Sequence, residues 1–281
     1  MATPGAVVVG IDGSSSAVDA AVWAVEEAVS RETALRLVLA LDTEDAARHL
    51  AAAESAVQAA CGAGGGHRTA VTVEAEIVRD SAVHALRAAS RGAQMLCVGS
   101  VGLAHGGLTR MGSTAAALAT TVHCPLAIIR SPATDSGWVV VDGGDDDAAD
   151  TVVQRGVQEA LLRRCALRVV TTWPSRYTDI HDVTAVADGN RLARGRLDRR
   201  LNHWRARFPG LDIQAVAVPG SIVNYLARHV RSIRLVVIPH ERADAVAELV
   251  GPRQQDAPGD LAFDVLVCEP QRGTNSNEQS G

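Results

Sequence analysis

Residues 98–114, VGSVGLAHGGLTRMGST, hold the densest set of chemically useful groups in this chain of 281 residues. Gly99 and Gly102 are separated by two residues, and after nine more residues Gly112, Ser113 and Thr114 open a helical pattern. Glycines allow positive φ and let a backbone approach a ligand with no Cβ in the way. A helix start offers N–H groups without intrahelical partners and the positive end of the dipole. The hydroxyls of Ser113 and Thr114 add donors. Such a set can hold phosphates through amides and hydroxyls alone. Glycines at a strand end also make ordinary turns. Within the loop, Arg110 and His105 read first as solvated side chains and only second as a phosphate ligand and a general base. Three features favour a phosphate site: the spacing, the position between a buried strand and a helix, and the Asp12-Gly13 turn that must lie near the same sheet edge.

Composition narrows the chemistry. The 27 basic residues are all arginine, because the chain has no lysine. Walker-type phosphate loops, kinase-type lysines and pyridoxal Schiff bases are therefore excluded. Hydrophobic residues make up 47% and charged residues 21%, as in ordinary globular proteins. Aromatics are only 3%, so the cores must be built from Ala, Val and Leu. A net charge of −5 gives no global attraction for nucleic acid or anionic membranes. No segment approaches the ~20 apolar residues of a membrane span. The start lacks the basic and apolar regions of a signal peptide. The five cysteines are widely spaced and form no metal-ligand pattern, and Cys97 and Cys268 read as core residues. A reduced, cytoplasmic setting is the expectation.

The elements that must position the loop alternate. Residues 6–11, 35–41, 70–77, 94–99 and 125–130 read as strands, with helical patterns over 16–30, 43–61 and 80–91 and another from Gly112. In the first helix Val18, Ala21, Val22, Val25 and Val29 form the apolar stripe, Ser14, Ser15 or Ser16 caps it, and Glu26 and Glu27 fall on the outer face. Continuous apolar strands alternating with helices imply an α/β fold with a doubly wound, mostly parallel sheet, whose ligands bind at the strands' carboxyl ends. The order then repeats. AVVVGIDGSSS (6–16) is echoed by WVVVDGGDDD (138–147), and residues 79–100 are echoed by 218–240. The reading is two five-stranded sheets in tandem: residues 1–132, residues 137–270, and a polar, disordered tail at 271–281. Within 191–208, Leu192, Leu197, Leu201, Trp204 and Phe208 share one face, and seven arginines read as a solvated face rather than a nucleic-acid patch.

The pattern G-x-x-G-(nine)-G-S at Gly99, Gly102, Gly112 and Ser113 resembles the ATP-binding signature of universal stress proteins. VVVGIDGSSSA resembles that family's first strand and its Asp, and HCPLAIIR (123–130) is similar to its closing strand. The likeness covers residues 5–131 well and 137–269 more loosely. It implies a tandem protein of flavodoxin-like, adenine nucleotide alpha hydrolase-like fold with an ATP-binding first half. By position, Asp12 would lie beside the base, ribose or a Mg²⁺ ion, and Leu41 would line the adenine pocket. Gly99, Gly102, Gly112, Ser113 and Thr114 would hold ribose and phosphates. Asp-Gly is also a common turn dipeptide, so Asp12 has a purely structural reading as well.

The second copy departs from the pattern. Pro239 stands at the position of Gly99, followed by His240, Glu241 and Arg242, and Pro252 follows Gly251 where a serine is needed. Glu241, Asp244 and Glu248 place negative charge where phosphates would lie. This half is expected to bind no triphosphate. Its Asp142 is taken as the match of Asp12, and the acidic run at 142–150 as helix capping rather than a metal site. No nucleophile–base set is evident, and no HxGH or SGGxDS signature of adenylate-forming folds is present. Any ATP hydrolysis should be slow. Two readings stand: a regulatory ATP-binding protein, or an interaction module whose glycine loop is a relic. The family's closing strands often pair, so 125–130 and 263–269 are expected to pair across a homodimer or between the halves.

Overall fold

Short runs of β-branched and aliphatic residues become strands here because both of their faces are covered. The computed structural model describes residues 5–40, 45–63, 71–100, 112–130, 136–144, 148–174, 183–245 and 263–269. The first half runs β1 (Val7–Ile11), α1 (Ser15–Ser30), β2 (Leu35–Ala40), α2 (Ala46–Ala63), β3 (Val73–Val78), α3 (Ala82–Ser90), β4 (Met95–Gly99), α4 (Ser113–Ala119) and β5 (Leu126–Ile129). The second runs β6 (Trp138–Asp142), α5 (Ala148–Leu162), β7 (Leu167–Trp173), α6 (Val183–Arg207), β8 (Ile213–Pro219), α7 (Ile222–His229), β9 (Ile233–Ile238) and β10 (Asp264–Val267).

Strand pairing within each half is parallel, in the order β3-β2-β1-β4-β5 and its repeat β8-β7-β6-β9-β10. The two five-stranded sheets are halves of one continuous sheet. β5 and β10 pair antiparallel, with Ile128 opposite Val265 and Leu126 opposite Val267, giving a sheet of ten strands among the described residues. The Arg130 N–H also donates to Asp264 Oδ1 at 2.9 Å. Each half thereby closes the other's exposed edge.

Alternation along β1 feeds two cores. Val7, Val9 and Ile11 face α1 and α2, and the same layer continues into α5 and α6 of the second half. Val8 faces the layer of α3, α4 and α7. Cys97, Cys124 and Cys268 are buried, and burial pushes the Cys124 and Cys268 thiols up to about 12 and Cys97 well above its ordinary range. They are inert packing residues.

Two expectations fail, one through tertiary packing and one through helical phase. Glu27 is fully buried rather than outward-facing, whereas Glu26 is exposed. The flank of α1 beside the second half meets the end of α5. There Arg163 bridges Glu159 on its own helix and Glu27 at 2.7 Å, with Arg31 pairing Glu27 and lying 3.5 Å from Glu159. Leu192 is 61% exposed although Leu197, Leu201 and Trp204 are buried as expected. At about 100° per residue, Leu192 stands about 140° around α6 from Leu197 and about 180° from Leu201, off the buried stripe.

Candidate functional site

The order β3-β2-β1-β4-β5 places the topological switch point between β1 and β4, where α1 and α4 begin on opposite faces. After β1 the chain turns at Asp12 and Gly13. Asp12 Oδ1 accepts from the Ser14 N–H at 2.9 Å and from the Ser14 hydroxyl at 2.6 Å. The Ser14 oxygen accepts from the Ala17 N–H at 3.2 Å and caps α1. Gly13 has φ +87°, and a Cβ there would meet the ring of His49 on α2 at 2.6 Å. His49 therefore roofs the Asp12 turn. Nothing in the local sequence singles it out, since its place depends on how α2 docks.

Gly99 ends β4 beneath the start of α1. A Cβ at this position would lie 2.6 Å from the carbonyl carbon of Ser16 and 2.8 Å from the Ala17 nitrogen. Those atoms are backbone and cannot step aside, so the close helix approach itself demands glycine. Beyond it, the Ser100 N–H donates to Ile129 at 2.8 Å, and the Gly112 N–H donates back to the Ser100 carbonyl at 2.7 Å. The departing and returning chains are thus pinned together at the mouth of β4. Gly112 caps α4 with no side-chain bond. The first turn of α4 presents the amides of Ser113 and Thr114, which have no intrahelical acceptor. Ser113 is exposed and Thr114 partly so.

One sheet edge thus gathers Asp12, Gly99, Gly112, Ser113 and Thr114. Leu41, Gly102, His105 and Arg110 lie outside the described residues.

The corresponding edge of the second half is differently built. Val7 opposes Leu35 as Val139 opposes Leu167, so Asp142, opposite Val170, stands at the register of Gly10, opposite Val38. The match of Asp142 to Asp12 is therefore corrected: Gly144 occupies that place. Asp142 is 4% exposed and accepts an ion pair from Arg242. Arg200 of α6 donates to the carbonyls of Gly143 at 3.3 Å and Gly144 at 2.6 Å and approaches Asp150 at 3.5 Å. One of the seven arginines read as solvated thus binds the β6 turn. Pro239 is followed by a 3-10 segment, His240–Ala245, with Glu241 and Asp244 exposed. Gly251, Pro252 and Glu248 lie outside the described residues, as does the tail.

Among the described residues no cluster of His, Cys, Asp or Glu has metal-site geometry, and no helix is long and apolar enough to cross a membrane.

Residues 5–130 match the model of the universal stress protein family. The chain is 39% identical to the universal stress protein Rv2028c of Mycobacterium tuberculosis over 277 residues, 94% of each chain. It is 35% identical to that organism's universal stress protein Rv2624c over 255 residues, covering 88% of this chain and 89% of the relative. In fold it is similar to a crystal structure of a universal stress protein from Archaeoglobus fulgidus, with a TM-score of 0.61 at 12% identity, covering 95% of this chain and 97% of that one.

Proposed function

The chain belongs to the universal stress protein family, and from that premise we propose that it is a regulatory ATP-binding protein with a single nucleotide site, in the first half. The observation that carries this reading is the asymmetry between two equivalent sheet edges. In the first half, α4 begins without a side-chain cap and with an exposed Ser113. In the second, Arg242 and Arg200 already engage the carboxylates and carbonyls of the edge. Uncapped helix starts attract anions, and the residues at the first edge fit a triphosphate: the amides and hydroxyls of Ser113 and Thr114 would hold phosphates. The backbones of Gly99, Gly102 and Gly112 would approach ribose and phosphate, Leu41 would line the adenine pocket, and Asp12 would meet ribose hydroxyls or Mg²⁺. Bound ATP would supply negative charge to this edge, and its hydrolysis is at most slow.

A second reading, an interaction module independent of nucleotide, is favoured by two observations. Gly99 is required by the packing of α1, and Asp12 is engaged with the Ser14 cap. Both residues would be kept with no ligand at all. The test is to denature the purified protein and identify released nucleotide by chromatography. Wild type should release an adenine nucleotide, or take it up on addition of ATP and Mg²⁺, and the Gly102→Glu/Ser113→Pro variant should be empty. A wild type that stays empty with added ATP leaves the interaction reading.

A further inference from the structure

The tandem repeat supplies an internal comparison on the α3–α7 face. In the second half, Trp138 begins β6, and Tyr225 and His229 lie on α7. Their rings form one tilted cluster, with Tyr225 and His229 centroids 4.3 Å apart at 30° and Trp138 and His229 centroids 6.1 Å apart at 50°. The guanidinium of Arg168 sits 5.0 Å above the Trp138 ring. The first half has the same frame without the rings. Ala6 precedes β1 where Trp138 precedes Val139, and Arg36 opposes Val8 as Arg168 opposes Val140. Ser81 caps α3 as Ser221 caps α7, so Ala85 and Ala89 occupy the positions of Tyr225 and His229.

Those truncations leave a cleft of ≈ 460 Å³, walled by Ala6, Val8, Ala85 and Ala89 and bordered by Arg36 and Glu76. This is within the size range of small-molecule sites. It lies beneath α3 and runs from Ala6, Gly92 and Ala93 at the amino ends of β1 and β4 to Val78 and Asp80 at the carboxyl end of β3. Arg36 is 14% exposed and pairs with Glu76 at 2.6 Å. Glu76 takes the place held by the apolar Val216, as the registers Val38 to Glu76 and Val170 to Val216 show. A buffered guanidinium beside an alanine-walled slot can stack on a ring, and a carboxylate already holding one donor retains further lone pairs.

We propose that this cleft is a binding site for a planar aromatic small molecule of the indole class, taking the space that the second half fills with its own rings. Arg36 stacks on the ring as Arg168 does on Trp138, and Glu76 accepts from the ring N–H. None of the residues lining the cleft belongs to the nucleotide edge.

The probe is indole, followed by saturation-transfer NMR on the full chain, with cyclohexanol as a non-planar control. Wild type should saturate indole and not cyclohexanol, and its Tm should rise with indole concentration. Ala85→Tyr, which restores the second half's ring, should weaken indole binding at least about tenfold while leaving Tm at or above the wild-type value. Glu76→Gln, at a partly exposed position, provides a second route to weaker binding without filling the cleft. Ser113→Pro should bind indole as wild type does. No saturation of indole, equal affinity in wild type and Ala85→Tyr, or cyclohexanol binding as well as indole would each overturn the proposal.

Discussion

Replacing Arg163 by Met tests the junction between the halves. The Arg163 side chain is 1% exposed, pairs with Glu159 and Glu27, and stacks 4.6 Å from the Trp23 ring centroid. Methionine preserves the aliphatic packing on Trp23 and removes the charge. Glu27 and Glu159, 0% and 1% exposed, would then share only Arg31. Removing one partner of a buried ion network costs about 3–5 kcal/mol, because an uncompensated charge remains. The sign with pH follows from the carboxyls. Arg163 lowers both carboxyls against the burial that raises them, so its removal shifts both upward and the deficit is expected to grow as pH rises above 4.5. Urea unfolding at pH 5 and pH 8 measures it. We expect one cooperative transition, since the halves share a sheet and a core, with a loss of about 3–5 kcal/mol at pH 8 and a smaller loss at pH 5. A loss below about 1 kcal/mol at pH 8, typical of exposed pairs, or an equal loss at both pH values, would refute the reasoning.

Other expectations concern the same framework. In the wild type, burial first and then Glu27 push Glu159 up to about 7 from 4.5, so this group's contribution to stability is present below pH 4.5 and lost as pH rises to about 7. Glu159→Gln should remove a fall of about 3 kcal/mol from the wild-type pH profile over that window, read by urea titration. Gly99→Ala should destabilise by about 1–3 kcal/mol in thermal or urea melts, because the new methyl meets backbone atoms of Ser16 and Ala17 at 2.6 and 2.8 Å. Arg242→Ala should cost about 1–2 kcal/mol by removing the ion pair of the 4%-exposed Asp142, and should not create nucleotide binding, since Arg200 still occupies the turn.

What could be read from residues alone was the local order. Apolar runs such as VVVGI and LRLVLA announced strands covered on both faces, the run Ser14 to Ser16 announced the cap that Ser14 supplies, and Cys97 and Cys268 announced core positions. The pairing of the closing strands was also foreseen as one of two arrangements, and it joins the halves within the chain. Features that depend on two distant segments were not legible. The α1 periodicity marks the face on its own sheet, but only the docking of α5 buries Glu27. The register of β6 against β7 moves Asp142 two residues from the place that its Asp-Gly dipeptide suggested. Arg200 looks like its solvated neighbours until α6 is laid over the β6 turn. The alanines of α3 read as ordinary helix formers, and only comparison with Tyr225 and His229 shows the space they leave.

The asymmetry of the two edges is tested most directly by calorimetric titration of the full chain with ATP and Mg²⁺. The account requires one nucleotide per chain, lost in Ser113→Pro and kept in Arg242→Ala. Two nucleotides per chain, or none, would contradict it.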